Sequence, residues 1–147
     1  MSMIDMKTDE LSGAALDWAV AHAAQVWTLA HEWFPTMTLD STFSGVQPMV
    51  YSDGQARCQL VPNNPFRQDF QIFRPTADWS QCGPLVGKFL VAMSPCLSGN
   101  FIAECFDKIR RHGERTGPTP LVAICRAVVF AKLGEVVSIP AELERTQ

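Results

Sequence analysis

Thr119-Pro-Leu-Val-Ala-Ile-Cys-Arg-Ala-Val-Val-Phe-Ala-Lys-Leu-Gly134 reads as one complete helix. Thr119 is placed to cap it and Pro120 fits the first helical position. Gly134 follows its last turn. On a helical wheel only Arg126 and Lys132 interrupt Leu121, Val122, Ile124, Val128, Val129 and Phe130. A helix that is apolar all round must be covered on all sides. This segment therefore predicts a buried helix over 120–133, with other elements packed around it.

The N-terminal third supplies a second helix. Thr8 or Ser12 can cap a run that continues to about Trp33, where Pro35 stops it. Leu11, Ala15, Trp18, His22, Val26 and Leu29 share one side, and Leu16, Ala19, Ala23, Trp27 and Ala30 widen the apolar arc. So wide an arc predicts packing on two sides, against a sheet and a second helix or against a sheet and another subunit. Between the helices lie strand signals. Residues 49–51 and 57–61 flank Asp53-Gly54, a hairpin turn signal. Phe89–Met93 and Asn100–Phe106 flank Ser98-Gly99 and read as a second hairpin. Residues 35–47, 66–84 and 108–117 read as connections, and 135–139 as a last short strand. The architecture expected is α+β in one domain over 1–147. An antiparallel sheet of four or five strands carries the two long apolar helices, near 9–33 and 120–133, on one face, and 1–6 and 141–147 are frayed.

Composition narrows the function classes. The chain has 147 residues, is 47% apolar and only 18% charged, and has a net charge of −3. Nucleic-acid binders draw much of their affinity from phosphate neutralisation, so no tight nucleic-acid binding is expected. The low charged fraction and the wide arc of the first helix point to a homo-oligomer, a dimer, or to a host or phage protein partner. Cys58, Cys82, Cys96, Cys105 and Cys125 are odd in number and contain no C-x-x-C pair. Free thiols in the cytoplasm fit that pattern, and no zinc ribbon or dithiol motif is available. The start of the chain has no secretory pattern, and no run is long enough to cross a membrane.

No catalytic motif is legible, and no cofactor or metal site is expected. His22 and His31 are nine residues apart, and a metal pair on one helix face needs a spacing of four. Lys108, Arg110, Arg111 and Arg115 form a short basic run, diluted by Asp107 and Glu114, that reads as a solvated loop. His22 reads as a core histidine, and Asp17 as a solvated or ion-paired acid beside a core Trp18. The densest polar and aromatic cluster is Asp78-Trp79-Ser80-Gln81-Cys82-Gly83-Pro84. It reads first as a loop anchored by its tryptophan. Arg126 needs acceptors inside its apolar helix, and this loop offers an acid, an amide and free carbonyls. Asp78, Trp79, Gln81 and Arg126 are thus the candidate ligand- or partner-binding residues. A small enzyme or ligand-binding module with an anion pocket at these four is the rival to a protein-binding role.

Three segments, 6–20, 73–86 and 117–134, together resemble the NinX-like family of small phage and prophage proteins. They cover about a third of the chain. The resemblance implies a phage or prophage origin and a place in the bacterial cytoplasm, with no established activity to carry over. In that comparison residues 1–5 are an extension. Cys82 stands where the family tends to have glycine, which argues against a nucleophilic role for it.

Overall fold

A computed structural model describes residues 2–28, 33–34, 43–63, 71–106 and 112–144. The helix over 120–133 forms as its sequence dictates. α3 (Pro120–Leu133) is capped by the Thr119 hydroxyl, which accepts the Val122 N–H at 3.2 Å. Val122, Ala123, Ile124, Cys125, Ala127, Val128 and Val129 are buried. α1 (Gly13–Ala24) is shorter than the sequence predicts. Gln25 turns left-handed there (φ 49°) and a 3-10 turn follows at Val26–Thr28. Val26, Trp27 and Thr28 are poor helix formers, and the Thr28 hydroxyl bonds the Gln25 carbonyl at 2.8 Å. The expected continuation over 29–32 lies outside the described residues.

Among the described residues the expected single sheet is corrected to three small antiparallel ones. β2 (Phe43–Val50), β3 (Ala56–Pro62) and β4 (Gln71–Phe73) form one, in that order. β5 (Val91–Pro95), β6 (Phe101–Cys105) and β7 (Arg115–Gly117) form the second. Both hairpins were legible, but β2 begins earlier than expected, and β7 occupies part of the connection expected at 108–117. The third sheet pairs β1 (Met3–Lys7) with β8 (Val136–Pro140), Met3 opposite Pro140 and Lys7 opposite Val136. The ends are therefore not frayed at these residues. α4 (Ala141–Glu144) follows β8 and buries Leu143. Residues 145–147 lie outside the described residues.

Among the described residues three helices, not two, have more than two turns. α2 (Trp79–Lys88) forms where a connection was expected. Asp78 caps it by accepting the Ser80 N–H at 2.9 Å and the Ser80 hydroxyl at 2.6 Å. α3 packs on β5, β6 and β7, on α1 and on α2, while α1 also reaches β3 and β8. α3 therefore lies between the second sheet and α1, and α1 lies between α3 and the first sheet. This answers the two-sided apolar pattern of α1: Ala15, Leu16, Ala19 and Val20 are fully buried inside the chain. No second subunit is needed to cover them.

The β7–α3 corner depends on the missing side chain of Gly117. A Cβ there would stand 2.7 Å from the Ala123 nitrogen and 2.9 Å from Val122 Cγ1. Backbone cannot yield as a flexible side chain can. Gly117→Ala is expected to destabilise by about 2 kcal/mol. Gly87→Ala meets open space in a helix and should be neutral or stabilising by up to about 1 kcal/mol. Urea midpoints of the two variants check the contrast, and equal effects would remove the steric account.

Candidate functional site

The structure gives the four candidate residues different settings. Asp78 is the N-cap of α2, its carboxylate held by Ser80. Gln81 is buried and ties α2 to β4. Its Oε1 accepts the Arg74 N–H at 2.6 Å, and its Nε2 donates to the Ile72 carbonyl at 3.0 Å. Trp79 is 54% exposed, not an anchor in the core. Arg126 lies on α3, which packs on α2, so the expected proximity of the two segments holds. Its bonds go elsewhere. Nε and Nη2 both donate to the Leu11 carbonyl, at 3.0 and 2.9 Å, and Nη1 donates to the Thr116 carbonyl at 2.9 Å. Arg126 thus clamps the start of α1 and the end of β7 onto α3. These bonds do not gather Arg126 with Asp78, Trp79 and Gln81 around one pocket.

Asp17 departs most from its sequence reading. It is 4% exposed, and its Oδ1 accepts the Thr76 N–H at 3.0 Å. Burial raises its pKa from 3.8 to about 7. The Thr76 bonds and the Arg74 guanidinium pull the other way and do not offset the lost hydration. Cys58 and Cys125 feel the Asp17 charge, and burial pushes both thiols up. Cys125 and Cys82 are in hydrogen-bonding contact across the α2–α3 packing. Thiols with raised pKa values are poor nucleophiles, which argues against Cys58 and Cys125 in that role.

His22 is not in the core. It stands on the surface of α1 between Trp18 and Trp27, ring centroids 4.5 and 5.2 Å away, and partial burial lowers its pKa. With Met3, Trp18, Leu133 and Val136 it lines an open cleft of about 330 Å³. Arg115 sits over the Phe130 ring, its Cζ 3.4 Å from the ring centre, with Asp9 Oδ1 3.5 Å from its Nε. The rest of the basic run, at 108, 110 and 111, lies outside the described residues. Among the described residues, no group of three or more His, Cys, Asp or Glu is placed to hold a metal ion. No helix among them is long and apolar enough to cross a membrane.

The feature the sequence reading missed is the outer edge of β5. β5 pairs with β6 from Val91 opposite Cys105 to Pro95 opposite Phe101. Among the described residues it has no neighbour on its other side. No charged side chain occurs from Phe89 to Ala103. Leu90, Met93 and Leu97 are exposed at 53%, 38% and 110%. Leu90 also holds φ 52°, a left-handed conformation that leucine seldom adopts. Edge strands are usually guarded by charge, because their free N–H and C=O groups invite another strand. Within β5 itself the guard is Pro95, which offers no N–H. The signal was legible as a hairpin without charges, but the open side is decided by sheet order alone.

A family model described as "Bacteriophage P22, NinX" matches residues 7–132. That span contains α1, α2, the β5–β6 hairpin and nearly all of α3. No curated protein matches the chain.

Proposed function

This chain belongs to the bacteriophage P22 NinX family, and we propose that it is a phage accessory protein of the host cytoplasm that acts by binding protein. The observation that carries the proposal is the uncharged, one-sided β5 edge with Leu90, Met93 and Leu97 exposed around it. An extended segment of another protein can add to such an edge, main-chain bonds supplying affinity and alternate side chains supplying selectivity. The rival anion pocket has less support, because Arg126 is engaged by the Leu11 and Thr116 carbonyls. A net charge of −3 favours a protein partner over nucleic acid.

A photo-crosslinking residue at Met93 tests the reading in infected cells. Discrete protein adducts are expected there, and none when the same residue replaces Thr116, which is also exposed but stands on β7 at the opposite side of the sheet. Ala92→Lys, which puts charge on the edge, should abolish them. Equal adducts at both positions would overturn the proposal.

A further inference from the structure

We propose that the occupant of the β5 edge is β5 of a second copy, paired antiparallel about a two-fold axis at Ala92. This rests on the reading of β5 as a protein-binding edge and names its partner. The argument starts from which backbone groups face outward. The Cys96 N–H bonds the Asn100 carbonyl at 2.8 Å and the Phe106 N–H bonds the Leu90 carbonyl at 3.1 Å. Hydrogen-bonded pairs alternate along an antiparallel ladder. With the observed register, Leu90, Ala92, Ser94 and Cys96 direct their backbone groups toward β6. Val91 and Met93 therefore direct an N–H and a C=O each to the open edge, and Pro95 directs a C=O alone.

That outward set is self-complementary. A two-fold axis at Ala92 sets Val91 of each copy opposite Met93 of the other. The two residues exchange both bonds, once on each side of the axis, and every outward group of Val91 and Met93 is satisfied. An axis at Met93 would instead set Val91 opposite Pro95, where the absent N–H leaves the Val91 carbonyl without a donor. The proline thus selects the register and ends the pairing. Side chains opposite each other share a face. Val91 and Met93 are on the face of Cys105 and Ala103, so the two copies join apolar to apolar and two three-stranded sheets become one of six strands.

Charge supports a copy of this chain as the occupant. A protein of net charge −3 meets itself here along a strip with no ionised side chain, so no like charges are opposed. The other edges are less suited. On β2 the Tyr51–Gln55 bond fixes the alternation so that Pro48 faces outward near the middle of the strand. β4 and β7 have three residues each. β1 carries Asp5 and Lys7, and β8 is flanked by Glu135 and Glu142. Four main-chain bonds and two short apolar strips make a small interface, so association is expected to be weak and concentration-dependent.

Disulfide trapping tests the axis. Opposite residues of a non-hydrogen-bonded pair approach to about 4.5 Å between Cα atoms, within disulfide range. In a Cys96→Ser background, Ala92→Cys with oxidised glutathione should give a linked dimer of twice 16.3 kDa. Two thiols are oxidised and glutathione disulfide is reduced. Ser94→Cys, far from its own copy in this register, should not link. Sedimentation of the unmodified chain at rising concentration should show a reversible dimer. Met93→Lys, with an unchanged circular dichroism spectrum, should weaken it about tenfold or more. A monomer at every concentration, or a dimer in which Ala92→Cys links no faster than Ser94→Cys, overturns the inference. Loss of the dimer while Met93 adducts with other proteins persist would leave the protein-binding reading standing and remove only this occupant.

Discussion

Asp17→Asn is expected to abolish a fall in stability of about 4 kcal/mol that the parent chain suffers between about pH 4 and about pH 7. The folded pKa of Asp17 is raised from 3.8 to about 7, with burial as the largest cause. A raised carboxyl pKa means that the fold prefers the protonated form. Its contribution is complete below the unfolded value, shrinks as pH rises through the window, and is gone above about pH 7. Asparagine keeps an oxygen for the Thr76 N–H and carries no charge at any pH. Other acids titrate equally in both chains, so the difference between their profiles isolates this group. Urea unfolding at intervals from pH 4.5 to 8.5 would show it. Parallel profiles would mean that Asp17 is ionised in the fold at little cost, and its burial would then need a closer cation than Arg74.

How far the sequence foretold this molecule follows from how local each signal was. α3 was legible to its caps because Thr119, Pro120 and Gly134 lie next to the apolar run they delimit. Both hairpins were legible from Asp53-Gly54 and Ser98-Gly99. α2 was not, since Gly83, Pro84 and Gly87 lower helix propensity where only the Asp78 cap argues for a helix. β1 was not, because its partner lies at the far end of the chain, Lys7 opposite Val136, and a five-residue strand with Asp5 and Lys7 has no period to display. The same limit governs the sites. Residue type showed that Arg126 needed acceptors, but the Leu11 and Thr116 carbonyls are main-chain atoms that no side-chain pattern advertises. That β5 is an edge follows from sheet order, and the charge-free run from Phe89 to Ala103 acquires meaning only beside it.

Arg126→Met is expected to destabilise by about 3 kcal/mol, and Asp78→Asn should not rescue it. The two acceptors of Arg126 differ in environment. Leu11 is fully buried and its carbonyl takes both Nε and Nη2, so truncation strands an acceptor away from water. The Thr116 carbonyl is at the surface, where water can replace Nη1, and it adds little. A charged donor to a buried carbonyl exceeds a neutral hydrogen bond, which places the loss near the upper end of single-bond effects. Asp78 enters neither bond, being held by Ser80 at the head of α2. A double-mutant cycle between positions 126 and 78 should therefore give a coupling below about 0.5 kcal/mol. Had the two formed a buried ion pair, Arg126→Met would strand a carboxylate and the double variant would recover part of the loss. Arg126→Lys separates charge from geometry. One ammonium can reach the Leu11 carbonyl but cannot span to Thr116 with the fixed fork of a guanidinium, so partial recovery is expected. Full recovery by lysine would show that the positive charge, near Asp9, matters more than the clamp. Because the clamp joins the start of α1 to the end of β7, its loss should also quicken amide exchange at Gly13–Asp17 relative to β2 and β3. Uniform exchange across the chain would place Arg126 in the global core balance instead of at this corner.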